Sequence, residues 1–303
     1  MATPNRDKFL TKYLRYPVEA AFAFAFMGLF KILPLDWASA FGGWLGRTVG
    51  PLLPLSKRAW RNLELVFPEM PEARRREIVR AMWDNLGRTA AEYPHLDTIS
   101  DPKTGRVEII GAELVKGPAS EGRPVIIAAM HQANFEVSVV TAGAQGIPMV
   151  GISRAANNPL VQKVAEKMRG VTPGKRIPKG AQGARALIAE MQKGSTIGVL
   201  NDQKFNEGFE ARFFGLPAMT ADGPAQMALR FACPIVPSRL ERLGGARFRM
   251  TIEPTPAFTP TGNKRGDAQA LTQAINDRFE AWVRERPEDW LWLHRRFPKS
   301  YYR

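Results

Sequence analysis

An imidazole and a carboxylate five residues apart, His131 and Glu136 in the run His131-Gln132-Ala133-Asn134-Phe135-Glu136, are the side chains of this chain best suited to moving a proton. They follow directly on an apolar run, Pro124 to Met130. Residues five apart diverge by about 140° around a helix and point to opposite faces of a strand, so the two cooperate only where the chain turns between them. A buried strand passing through a turn into a helix supplies that turn. Imidazole accepts a proton near neutral pH, and a carboxylate on its other nitrogen fixes the tautomer and stabilises the imidazolium. The pair therefore reads as a general base with its orienting acid, against the commoner use of such a pair as a satisfied structural histidine.

The inventory of other reactive groups narrows the chemistry. No Gly-x-Ser-x-Gly elbow occurs, the single cysteine is Cys233 in the apolar stretch Phe231 to Val236, and the three histidines are His95, His131 and His294. A covalent triad and a zinc site are both disfavoured by these counts. What remains for His131 is activation of a hydroxyl brought by a substrate, which is acyl transfer without an acyl-enzyme and requires neither metal nor cofactor.

The elements that must position this pair follow from periodicity. Residues 71–93 predict a helix, with Ile78, Met82, Leu86 and Ala90 recurring every four residues. Residues 107–110, 125–129, 149–152 and 196–200 read as short buried strands, and 159–168 and 181–192 as helices between them. Residues 235–243 and 248–252 flank Gly244-Gly245 as a hairpin, and a helix over 268–284 closes the pattern. The fold class is α/β: a single domain with a central, mostly parallel or mixed sheet covered by helices, plus an N-terminal hydrophobic membrane-anchoring helix. The expected division is an anchor or interfacial segment over 1–45 and a catalytic domain over 46–303.

Taken in order, the motifs resemble those of the lipid A biosynthesis acyltransferases, the lauroyl and myristoyl transferases that complete the acyl chains of lipopolysaccharide. The resemblance covers most of the chain: an apolar N-terminal segment, His131 with Glu136, Ser153-Arg154 followed by Asn157-Asn158-Pro159, Asn201-Asp202-Gln203-Lys204, Phe213-Phe214-Gly215, and a closing Trp292 with His294-Arg295-Arg296. One departure stands out, because Ala133-Asn134-Phe135-Glu136 replaces the family's frequent Gly-Asn-Trp-Glu. The resemblance implies an acyl donor held as a thioester on acyl carrier protein, a phosphorylated glycolipid acceptor, and contact with membrane lipids at the cytoplasmic face of the inner membrane. Acylation of another glycolipid or of a lysophospholipid is the nearer alternative, and a catalytically inactive binding or scaffold protein of the same fold the more distant one.

Within that frame His131 and Glu136 are the catalytic candidates, and Arg154, Asn157, Asp202, Gln203 and Arg169 are candidates for holding substrate or an oxyanion. Arg154 follows a strand on the sheet edge where His131 sits, where a guanidinium could hold phosphate or a developing oxyanion; a surface arginine is the plain alternative. Asn201 and Asp202 leave another strand on that edge, either as a turn pair or to position Arg154 or the acceptor. Arg169, Arg295 and Arg296 suit phosphate but equally a solvated face. Phe213, Phe214 and Met219 suit an acyl chain, with core packing the stronger expectation.

Lys and Arg number 43 against 29 acids, a net charge of +14. That field attracts acidic proteins, phosphorylated acceptors and anionic lipids alike. Nucleic acid would answer the same charge, but neither an aromatic RNA-binding signature nor a recognition helix is visible. One cysteine argues against a disulfide-built secreted protein. At the N-terminus, Ala20 to Phe30 is uninterruptedly apolar between Glu19 and Lys31. A span, an interfacial helix and a signal peptide ending near Ala38-Ser39-Ala40 compete for it. A retained, shallow anchor with Trp37, Trp44 and Trp60 at headgroup level is the expectation, with core packing the alternative for the tryptophans.

Overall fold

Strand 125–129 is the centre of the molecule, and its sequence Val-Ile-Ile-Ala-Ala says why: it has no polar side chain to turn toward water. The computed structural model describes residues 11–147, 149–153, 158–161, 176–178 and 181–302. Arg154, Asn157 and Arg169 lie outside the described residues, as does most of the helix expected over 159–168. The chain opens with helices α1 (Tyr16–Ile32), α2 (Leu35–Val49), α3 (Ser56–Val66), α4 (Glu72–Glu92) and α5 (Leu96–Ser100). There follow β1 (Val107–Ile110), α6 (Glu113–Ser120), β2 (Val125–Ala129), α7 (Phe135–Ala144), β3 (Met149–Ser153) and β4 (Arg176–Pro178). The remainder is α8 (Ala181–Gln192), β5 (Thr196–Leu200), the pair β6 (Phe209–Phe213) and β7 (Leu216–Thr220), α9 (Gly223–Arg230), β8 (Ile235–Gly244), β9 (Arg247–Ile252) and α10 (Lys264–Glu285).

The main sheet has the order β1-β9-β8-β2-β5-β3-β4 and is parallel except between β8 and β9. The expected mixed sheet covered by helices is thus the observed one, and the Gly244-Gly245 hairpin is its antiparallel element. Alternate residues of β2 feed different cores. Ile126 and Ala128 join α3, α4, α9 and α10 on one face, whereas Val125 and Ile127 join α5 and α7 on the other. The antiparallel pair β6 and β7 was not foreseen. Its Phe213 and Phe214 are buried in the core against Trp290 and Trp292, which decides for packing over the acyl-chain wall.

Between β2 and α7 the chain makes the turn that the spacing of His131 and Glu136 requires. Ala133 takes a left-handed conformation, φ +46°, and Asn134 is fully buried with its Nδ2 donating to Glu92 Oε2 at 2.9 Å. Glu92, itself buried, also accepts from Ser39 of α2 and from the Arg242 guanidinium of β8. The turn is therefore pinned to three elements. The alanine where glycine is frequent keeps the turn and strains it.

Of the readings open for the N-terminal segment, a membrane-crossing helix finds no support in the structure. Helix α1 continues directly from a π-helical turn over Thr11–Arg15. Among the described residues no helix is long and apolar enough to cross a membrane. Part of the apolar run is core: Phe30 packs with Ala38 of α2 and Ala91 of α4. The expected boundary at residue 45 falls inside α2, which lies against α4 at backbone contact. A Cβ on Gly87 would stand 2.1 Å from the Gly42 carbonyl oxygen, and one on Gly46 2.1 Å from that of Trp83. Trp60 packs against the main core, whereas Trp37 and Trp44 are exposed.

Two substitutions test these local arguments in urea unfolding. In an unpacked helix Gly→Ala stabilises by about 0.5–1 kcal/mol; in α4, Gly87→Ala is expected to reverse sign and cost about 1–3 kcal/mol, because the two helices must separate. Ala133→Gly is expected to stabilise by about 0.5–1 kcal/mol, the left-handed penalty of about 1–2 kcal/mol outweighing the extra unfolded-state entropy of glycine. A stabilised Gly87→Ala or a destabilised Ala133→Gly contradicts the corresponding packing or strain.

Candidate active site

Parallel pairing of β2 with β5 sets Ala129 opposite Leu200, and the Asn201 N–H continues the ladder to the Ala129 carbonyl at 3.0 Å. Two residues past each of those positions stand His131 and Asp202, so the sheet itself delivers an imidazole and a carboxylate to one point. That point lies at the carboxyl ends of the strands, where open α/β sheets bind ligands. His131 Nδ1 donates to Asp202 Oδ1 at 2.7 Å, and the His131 backbone N–H donates to Asp202 Oδ2 at 3.0 Å.

The carboxylate expected on that imidazole was Glu136; the one present on Nδ1 is Asp202, from a different strand. Glu136 sits half-buried in the first turn of α7, whose Phe135 ring stands edge-on to the imidazole with centroids 5.0 Å apart. The reason is geometric: the turn directs the imidazole's Nδ1 across the sheet edge toward β5, and Asp202 is already fixed there.

Asp202 is held from three directions. Its Oδ2 also accepts from Trp290 Nε1 at 2.8 Å, and its side chain is 1% exposed against 16% for His131. Burial opposes its ionisation, but the imidazole and the donated hydrogen bonds outweigh burial and hold the carboxyl well below the usual carboxylate range. A fixed anion beside Nδ1 keeps the proton on that nitrogen. The Nε2 lone pair then remains to accept a proton from a bound hydroxyl.

Trp290 belongs to a C-terminal segment that straps the turn. Leu291 N–H donates to the His131 carbonyl and Ala133 N–H to the Asp289 carbonyl, both at 3.0 Å, with a bridge between Gln132 and Trp290. The same segment brings His294, whose ring centroid is 5.5 Å from that of His131. Gln203 lies between them, its amide nitrogen 2.7 Å from His294 Nε2. Burial, then the nearby His131 charge, push the His294 imidazole down from its ordinary value, toward the neutral form.

Of the residues singled out from sequence, His131, Asp202 and Gln203 meet. Arg296, considered for phosphate, is fully buried, donating to the Met219 carbonyl at 2.9 Å and to Thr220 Oγ1 at 2.7 Å, with burial lowering it to about 10. It is a strut between the strap and β7. Sequence reasoning missed Trp290, and it placed His294 only within the closing motif of the resemblance, without a role in the site. Among the described residues no cluster of histidine, cysteine and carboxylates is arranged to hold a metal ion.

Comparison with known proteins gives the family. The family model for bacterial lipid A biosynthesis acyltransferase matches residues 7–299. The chain is 26% identical over 249 residues to the lipid A biosynthesis lauroyltransferase of Escherichia coli, covering 80% of this chain and 78% of that protein. It is 24% identical over 272 residues to a lipid A biosynthesis acyltransferase of Haemophilus influenzae, covering 88% and 84%, and 23% identical over 263 residues to the E. coli palmitoleoyltransferase, covering 84% and 83%. With a matching model over nearly its whole length, this chain belongs to the bacterial lipid A biosynthesis acyltransferase family.

Proposed function

We propose that this enzyme transfers a fatty acyl group from the thioester of acyl carrier protein to a hydroxyl of a lipid A precursor, with His131 as general base. The observation that carries the reading is His131 itself, partly exposed and tied through Nδ1 to a buried carboxylate. A hydroxyl is too weak a nucleophile unaided. As its oxygen bonds to the thioester carbonyl carbon, its proton passes to His131 Nε2, and Asp202 stabilises the imidazolium. Collapse of the tetrahedral intermediate breaks the C–S bond, and the imidazolium returns the proton to the departing sulfur. Arg154 and backbone N–H groups of the turn are the proposed oxyanion partners, Asn157 and Arg169 the proposed contacts to acceptor phosphate. Glu136, with Nδ1 already occupied, is assigned to orienting the acceptor at the mouth of the site. No cofactor enters this scheme.

The net charge of +14 suits an acidic carrier protein and a phosphorylated acceptor. Attachment to the cytoplasmic face of the inner membrane is proposed through α1 and α2, lying in the interface rather than crossing it. Phe22, Phe24, Leu29, Ile32, Trp37 and Trp44 are exposed on these helices.

Mass spectrometry of lipid A from cells lacking this protein is expected to show one secondary acyl chain missing; an unchanged acyl pattern overturns the acceptor. In the purified enzyme His131→Ala is expected to lower turnover about 10²- to 10⁴-fold, and Asp202→Asn to lower it severely while the fold survives. Glu136→Gln separates the two acids: an unchanged KM with this variant removes Glu136 from the acceptor site. The protein is expected to bind vesicles containing phosphatidylglycerol, and a Phe22→Asp, Trp37→Asp double variant to bind at least about tenfold more weakly, since each buried aromatic contributes about 1.5–3 kcal/mol at most. Equal binding by variant and parent rejects the interfacial helices.

A further inference from the structure

Gln203 is placed against His131 in a way that simple base catalysis does not require, and the meaning of that placement rests on reading His131 as the base. The Gln203 amide nitrogen is 3.1 Å from His131 Nδ1 and 3.0 Å from His131 Nε2. The two ring nitrogens direct their in-plane bonds away from each other, and Nδ1 already donates to Asp202. One atom nearly equidistant from both, if it lay in the ring plane, would collide with the carbon between them. It therefore lies across the face of the ring, and the Nε2 lone pair stays open in the plane.

His294 explains why nitrogen rather than oxygen faces the ring. At 2.7 Å from the same amide nitrogen, a neutral His294 with its proton on Nδ1 accepts through Nε2 and holds that end of the amide inward. Burial favours that neutral form, as does the charge of Arg58 from α3, while the charge of Asp202 opposes it. The second amide hydrogen is then left facing the π surface of His131. An N–H donated to an aromatic face is weakly favourable when the ring is neutral and turns repulsive when the ring is a cation.

We infer that Gln203 and His294 are positioning residues that press an N–H dipole on the face of the His131 ring, keeping Nε2 free and favouring the ring's unprotonated, proton-accepting form. Asp202 acts in the opposite sense, since its charge favours the imidazolium. Glu136, in the first turn of α7, and Lys204, next to Gln203 in sequence, add charges of opposite sign nearby, and Arg296 offsets part of the Asp202 charge from behind. The opposition has a use in acyl transfer. A base stabilised too far as imidazolium would take the hydroxyl proton and then fail to surrender it to the leaving sulfur.

The test follows the His131 Cε1–H signal against pH in the full-length protein, alongside the pH profile of acyl-transfer kcat/KM. Gln203→Glu replaces the N–H with a carboxylate oxygen. The titration midpoint of His131 and the acid limb of the rate profile are expected to move together to higher pH by about one unit or more, a tenfold loss of rate on that limb. Gln203→Leu, which removes the donor without adding charge, is expected to move both in the same direction by less. His294→Leu is expected to imitate Gln203→Leu, and His294→Asn, whose side-chain oxygen can accept from Gln203, to restore the parent midpoint. A His131 midpoint unmoved in Gln203→Glu and Gln203→Leu overturns the inference whatever the activity. A midpoint that moves in a protein with no acyl-transfer activity upholds the face contact and rejects the proposed function instead.

Discussion

One buried carboxylate organises the catalytic end of this molecule. Asp202 accepts from the backbone of His131, from its ring and from the indole of Trp290, and those donors come from the exit of β2 and from the C-terminal strap. A buried carboxylate is costly unless its lone pairs are filled, so the site forms only when the β2–β5 pairing and the strap are both in place. The His131 ring is thus oriented by tertiary structure. No local sequence motif could hold it in this register.

A second buried charge does comparable work on the other side of the turn. Glu92 in α4 meets the Arg242 guanidinium while taking hydrogen bonds from Ser39 and Asn134. Buried ion pairs are weak evidence for stability, since desolvation offsets much of the attraction. Their value here is positional: Asn134 fixes the end of the turn, and Ala133 is carried into a left-handed conformation that its side chain disfavours. Strain in the turn is sustained because the anchors around it allow no other path.

How much of this was legible in the sequence depends on how local each feature is. The β2–turn–α7 unit was readable because apolar run, polar break and helix lie within twenty residues. The bounds of β1, β2, β5 and α8 follow from the same short-range periodicity. His131 was singled out for that reason and paired with Glu136, the acid nearest in sequence, whereas the carboxylate on its Nδ1 is that of Asp202. Choosing Asp202 would have required knowing that β2 pairs with β5, 71 residues on, across β3 and β4. Trp290 and His294 belong to a strap without periodicity, so nothing marked where it would lie. The N-terminal apolar run was ambiguous for a different reason. Hydrophobicity alone cannot distinguish a face buried against Gly87 and Ala91 from one offered to a bilayer, and α1 and α2 do the first while leaving aromatic side chains outside.

The strap has a consequence for how the enzyme comes into being. Chains emerge from the ribosome N-terminus first, and their parts begin to fold as they appear. The helices that cradle the turn, and β2 itself, are therefore available long before Trp290, which follows Asp202 by 88 residues. Until that indole arrives, Asp202 lacks a donor and the His131 carbonyl lacks the Leu291 N–H. A chain whose synthesis has not reached Trp290 therefore still lacks part of the seam that sets His131.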